Sequence, residues 1–194
     1  MGSANEQHPP TRNRSREQRV DLRLTKTGVA ENAATPQPRK DIQMEAYNEL
    51  YIDEAMENLG VMIEYVVCDL GFEPDEFFNL FITSGYALLF GHGNPQYTAG
   101  ISGYELALLI LRELNIPYEY KEPTTPIAFG REYWAGWILA YYQWKTNQTF
   151  EDIVKHGLYV STVLSMYDTL HEADVSKFVE CANNIIERNK NLES

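Results

Sequence analysis

The sequence predicts an all-α fold, a single compact domain of about six or seven helices behind a disordered N-terminal tail. Three observations predict it. From residue 41 onward apolar residues recur at three- and four-residue steps, the period of an amphipathic helix. Most of these runs open on Ser, Thr, Asp or Pro or close on Gly, the usual helix boundary signals. No stretch sustains the alternation of a half-buried strand, which leaves helix-on-helix packing as the architecture.

The first 40 residues, with "MGSANEQHPPTRNRSREQ" and "ENAATPQPRK", are rich in Pro, Asn, Gln, Ser and Arg and have no apolar period. They read as a disordered basic tail or an appended leader, with Met44 an alternative natural start, and the helical domain as residues 41–194. From about Ile42 to Leu70 the apolar positions from Tyr47 to Val67 form one long helical pattern that stops at Gly71. A second helix is expected from about Asp75, after Pro74, to Phe90 before Gly91. The third has the clearest start, because Ser102 followed by Glu105 in "SGYELALLIL" is a capping box. In "IPYEYKEPTTP" the prolines 117, 123 and 126 forbid a helix and imply a surface connection. A fourth helix spans about Arg131 to Lys145, a fifth begins at Thr149, a sixth covers about Val160 to Tyr167, and the last opens at Asp174.

The fourth helix reads "REYWAGWILAYYQW" and holds all three tryptophans of the chain. At 100° per residue its aromatic residues cover about half the circumference, which makes it a central helix with Trp137 at the middle of a core face. Opposite lies a narrow seam of Glu132, Gly136 and Gln143, where a glycine leaves space for a ligand or another backbone. Glu132 and Gln143 are therefore candidate recognition groups, Trp134 and Tyr141 candidate aromatic anchors. The glycine-rich stretch "GHGNPQYTAGISG" supplies Asn94 and Tyr97 as further candidates. It lacks the lysine and preceding strand of a phosphate-binding loop, and reads as a structured turn.

Composition narrows the function classes. Residues 1–40 hold 8 Lys+Arg against 4 Asp+Glu, a net +4, while residues 41–194 hold 8 against 24, a net −16. Such a body repels phosphate, so neither nucleic acid nor an anionic membrane is favoured, and a basic protein partner suits it better. No apolar run approaches the roughly 20 residues of a membrane span, and no secretory signal opens the chain, which places it in the cytoplasm. Cys68 and Cys181 sit far apart in apolar helical contexts and read as reduced core thiols. "LHEAD" lacks the spacing that puts two imidazoles on one helical face, and nothing calls for a metal or cofactor. Residues 149–167, "TFEDIVKHGLYVSTVLSMY", have the outline of a helix-turn-helix, but the second helix carries no Arg or Lys for DNA.

The strings "EFFNLFITSGYA", "GNPQYTAGISGYELA", "REYWAGWILAYYQW", "TFEDI" and "LHEADVSKFV" span most of Glu45 to Arg188. This segment resembles an uncharacterised family of small all-helical bacterial proteins, often encoded beside proteins similar to ADP-ribosyltransferase toxins. The resemblance implies an antitoxin-like or accessory binding role and carries no catalytic residue. The expectation is thus a non-enzymatic, acidic interaction protein that restrains a basic protein partner, which the resemblance implies is a toxin-like enzyme. The alternatives are a DNA-binding regulator using residues 149–167 and a small-molecule-binding domain using the seam with His92. The oligomeric state is left open.

Residues 1–40 offer too little periodic apolar surface to offset an ordering cost of about 1–2 kcal/mol per residue. Their removal should leave the thermal unfolding midpoint unchanged; a fall of many degrees would show that they dock on the domain.

Overall fold

Residues 45–124 and 130–192 are described by a computed structural model; the expected tail over residues 1–40 lies outside the described residues. Among the described residues there are nine α-helices and no strand: α1 Ile52–Glu64, α2 Pro74–Thr83, α3 Tyr86–Gly91, α4 Pro95–Thr98, α5 Gly103–Glu113, α6 Arg131–Thr146, α7 Phe150–Lys155, α8 Val160–Leu170 and α9 Val175–Leu192. They belong to one compact unit, Lys40–Ser194.

The all-helical class holds, and the count exceeds the expected six or seven for two local reasons. The expected helix over 75–90 breaks at Gly85, whose φ of 82° is left-handed, so that α2 ends at Thr83 and α3 begins at Tyr86. The expected turn over 91–103 contains α4, opened by Asn94, whose side chain accepts from Gln96 N–H at 3.0 Å. The first helix is also shorter than its apolar pattern. It is preceded by a 3₁₀ turn over Glu49–Tyr51 and followed by a π turn over Tyr65–Asp69, closed by Leu70 N–H donating to Tyr65 O at 3.1 Å. The capping box of Ser102 and Glu105 opens α5 as expected, and Thr149 accepts from Asp152 N–H to open α7.

The core is aromatic. Phe78, Phe81, Phe90 and Phe150 meet edge to face or tilted, with ring centroids 5.5–6.1 Å apart. Each such side chain contributes about 1.5–3 kcal/mol by burial. On α6 the fully buried aromatic residue is Tyr142, packed on Phe178 and donating its hydroxyl to Asn183 at 2.7 Å. Trp137 is only half-buried, so the centre of the aromatic face lies nearer Tyr142 than the helical wheel placed it. The two cysteines also differ from expectation. Both are free and exposed, because the helical positions of Cys68 and Cys181 turn away from the faces that carry Val66 and Ala182 inward.

α1 and α6 run antiparallel at the centre. At one end Trp144 Nε1 donates to Tyr47 O and Lys145 pairs with Glu45, both at 2.9 Å; at the other, Gly130 N–H donates to Glu64 at 3.3 Å. Between them the backbones nearly touch. A Cβ on Gly136 would stand 2.3 Å from Leu59 O, one on Gly60 would meet the Tyr133 ring at 2.8 Å, and one on Gly103, at the start of α5, would stand 2.2 Å from Asn58 O. Any larger residue at Gly136 or Gly103 must push two main chains apart, and one at Gly60 must displace the Tyr133 ring. Gly136→Val should lower stability by about 1–3 kcal/mol or more in urea unfolding, while Asn184→Ala on the exposed face of α9 should stay within about 0.5 kcal/mol. Equal midpoints for Gly136→Val and wild type would refute the close crossing.

Candidate functional site

The expected seam does not form a site. Gly136 is covered by the α1 backbone, and Gln143 is buried at 2 % exposure, with its Nε2 donating to Gly91 O at 3.2 Å and Gln148 O at 3.1 Å. Gln143 is therefore corrected from recognition group to internal clamp, tying α6 to the end of α3 and to the turn before α7. Glu132 lies eleven residues earlier on α6, about 16 Å away along the axis, so no pocket joins it to Gln143 and His92. His92 and Gln143 share only a small cavity of about 20 Å³.

The other candidates are dispersed. Asn94 caps α4, and Tyr97 packs edge-on against Tyr86 at 5.1 Å. Trp134 is half-buried between Tyr167 at 5.5 Å and Phe178 at 5.8 Å, which joins α6 to α8 and α9. Tyr141 lines a surface groove of about 420 Å³ with Trp137 and Trp144, beside the Glu45–Lys145 ion pair. Among the described residues no group of three His, Cys, Asp or Glu is placed to hold a metal ion.

A larger groove than these lies elsewhere. A groove of about 540 Å³ opens between the end of α1 with its π turn, the start of α5 and the extended segment that follows α5. Its walls carry Tyr65, Tyr104 and Tyr120, the carboxylates of Glu64, Asp69, Glu105 and Glu122 and, among the described residues, no Lys or Arg. Each wall is fixed by its own local chemistry. Tyr65 donates its hydroxyl to Lys121 O at 2.8 Å and meets the Tyr104 ring edge-on at 6.2 Å, so the extended segment is held against the π turn. Asp69 accepts from Thr124 N–H at 3.3 Å and from Thr124 Oγ1 at 2.6 Å. Glu105 Oε2 accepts from Ser102 N–H and Oγ, at 2.9 and 2.7 Å, as part of the α5 cap.

The electrostatics follow from this crowding. Burial, then the neighbouring charges of Glu132 and Asp69, push the Glu64 carboxyl up, against the opposing hydrogen bond from Gly130. The hydrogen bonds from Ser102 hold the Glu105 carboxyl down. Cys68 is exposed as a residue, yet partial burial of its thiol, followed by Glu132, Glu64 and Asp69, pushes that thiol up and keeps it protonated, a poor nucleophile. Burial chiefly raises Tyr65, with smaller contributions from Tyr120 and Asp69. The arrangement suits a cation, for which carboxylates supply charge and tyrosine faces a favourable quadrupole.

Of the candidate recognition residues named from sequence, Glu132 lies near this groove, as a neighbour of Glu64, whereas Glu105, read from sequence as a cap, lines it. Sequence reasoning missed Tyr65, Tyr104 and Tyr120 because they come from three separate segments. The available signal was "YEY" inside the proline-broken stretch, where Tyr118 and Tyr120, two apart in extended chain, both come near Tyr65. No protein-family model, no curated protein and no solved structure matches the chain, so the geometry alone carries the functional reading.

The folded state holds the Glu64 proton more tightly than the unfolded chain, so Glu64 takes stability away as pH rises through the carboxylate range, and the loss is complete above the raised folded value. Glu64→Gln keeps a carbonyl oxygen for Gly130 N–H and removes the charge. The variant should be more stable than wild type at about pH 7 and gain nothing at about pH 3, below the ordinary glutamate value. Urea midpoints at the two pH values check this; an equal gain at both would assign the effect to packing.

Proposed function

We propose that this chain is a non-enzymatic, acidic interaction protein of the cytoplasm that binds a basic surface of a partner protein and restrains the partner by covering it. The observation that carries the reading is the groove between α1, α5 and the segment after α5, with three tyrosines and four carboxylates on its walls and no cation among the described residues that line it. The net −16 over residues 41–194 supports it from a distance, because a field of that sign speeds encounter with a cationic surface and opposes phosphate. Aromatic side chains that are partly exposed then supply contact energy, as they commonly do in interfaces. The toxin-like enzyme that the family resemblance implies, an ADP-ribosyltransferase by similarity, is the first partner to try.

The geometry of α7 and α8 weighs against the DNA-binding alternative. The two helices meet at a turn with Gly157 at φ 85°, as a helix-turn-helix does, but the N-terminus of α8 is already occupied. Ser161 N–H and Oγ donate to Asp75 of α2, at 2.9 and 2.5 Å, so a carboxylate sits where a phosphate would approach. α8 itself carries no Lys or Arg.

Raising ionic strength should slow association with the toxin-like partner markedly, read as the association rate at two salt concentrations. Duplex DNA titrated against the chain with and without residues 1–40 should show no binding that depends on the helical domain. Salt-independent association would remove electrostatic steering, and tight sequence-specific DNA binding by the domain would replace the interaction reading with the regulator.

A further inference from the structure

We infer that the groove between α1, α5 and the following segment takes an arginine side chain presented by an extended basic segment of the partner. The inference rests on the interaction reading and names the chemistry at its centre. Three features select guanidinium. First, the walls supply flat aromatic surface from two tyrosines, Tyr104 at 38 % and Tyr120 at 54 % exposure, while the buried Tyr65 backs the Tyr104 ring edge-on. A planar guanidinium stacks on such faces, whereas an ammonium interacts with them as a point charge.

Second, the carboxylates are already positioned. Glu64 Oε1, Asp69 and Glu105 Oε2 accept hydrogen bonds from Gly130, Thr124 and Ser102, which hold these side chains in place. Glu64 Oε2 and Glu105 Oε1 accept none from the described residues. Several carboxylates around one groove suit the five N–H donors of guanidinium better than the three of an ammonium. Third, the groove is long enough for more than a side-chain tip. At about 540 Å³ it lies within the range of small-ligand sites and accommodates the stem of the arginine and some of its flanking backbone. Apolar wall from Val61, Leu108 and Pro123 faces that stem.

Among the described residues, the two cations nearest the groove in sequence do not enter it. Lys121 offers its backbone carbonyl to Tyr65, and its side chain is absent from the lining. Arg131 pairs with Glu132 at 3.8 Å and donates to Leu164 O at 3.2 Å, toward α8.

The test uses the full chain and three fluorescent glycine–serine peptides, capped at both ends and identical except for arginine, lysine or glutamine at the variable positions. Binding is read by anisotropy at low and at physiological salt. The arginine peptide should bind about tenfold more tightly than the glutamine peptide and several-fold more tightly than the lysine peptide. Tyr120→Ala and Glu122→Gln alter exposed side chains and leave the fold intact by circular dichroism. Each should weaken the arginine peptide about two- to fivefold, and Tyr120→Phe should restore most of the affinity. Equal affinity for arginine and lysine peptides would overturn the guanidinium assignment. Unchanged binding in both groove variants would overturn the groove as the site, even if salt-dependent association with a basic partner protein persisted, in which case the interaction reading stands and this one falls. Absence of binding to every peptide at low salt would overturn it as well.

Discussion

Backbone contact at the middle of α1 is the constraint on which the rest of the molecule depends. Three glycines on three helices, Gly60, Gly103 and Gly136, remove the side chains that would otherwise keep α1, α5 and α6 apart. Main-chain contact leaves no room for the small slides that side-chain packing tolerates, so the relative register of the helices is set there. Everything nearby inherits that register. With Gly103 seated on Asn58 and Met62, the next residues of α5, Tyr104 and Glu105, are delivered beside Val61 and Tyr65. With Gly136 seated on Leu59 and Gly60, the antiparallel α6 brings Gly130 and Glu132 to Glu64, one turn further along α1. Asn58 adds a polar lock, donating to Thr98 O at 2.8 Å and Ile101 O at 2.9 Å, which fastens the turn before α5 to the same part of α1.

The acidic groove is a consequence of this crossing and also a strain on it. Glu132 and Asp69 are close enough to add to the upward push that burial gives Glu64 and Cys68, and a cluster of one sign opposes its own assembly. Among the described residues the repulsion is offset by uncharged donors, Gly130 N–H and the Thr124 amide and hydroxyl. Neutral donors hold carboxylates in position without cancelling their charge. The π turn over Tyr65–Asp69 acts at the same place. One wider turn at the end of α1 sets Tyr65 and Asp69 on the groove and ends the helix at Gly71, and such turns recur where side chains are aimed at a site.

How much of this was legible in the sequence depends on how local the cause is. Caps are local, and the Ser102–Glu105 box and Thr149 could be read from four residues each. The break at Gly85 was obscured because the apolar spacing of Phe77 to Phe90 continues through it, and only the left-handed φ reveals that one helix has become two. The seam of α6 was misread for a different reason. A helical wheel shows that Glu132, Gly136 and Gln143 share a side, but not whether that side meets solvent or another backbone, and here Gly136 meets α1 and Gln143 meets the end of α3. Gln143 and Trp137 were misplaced by the same ambiguity, one too far out and the other too far in. The groove was illegible because its tyrosines are brought together by the glycine contacts of α1, a long-range cause that no window of sequence contains.

The α7–α8 pair shows the same limit from the opposite direction. Its sequence carries the spacing of a helix-turn-helix because any tight helix pair needs an apolar residue before the turn, a glycine in it and an apolar residue after it, here Ile153, Gly157 and Leu158, both apolar partners fully buried. That spacing encodes a shape. What would make the shape a DNA reader is charge on the second helix and an open N-terminus, and α8 has neither: its exposed positions include Ser161, Ser165 and Asp168, and its first turn is capped from α2 by Asp75. A carboxylate is stabilising at a helix N-terminus, so Asp75 strengthens α8 while excluding the anion that a DNA-binding helix must meet. The pair therefore serves as packing, with α8 presenting Leu164 O to Arg131 and Tyr167 to Trp134 so that the start of α6 is held on the side away from the groove.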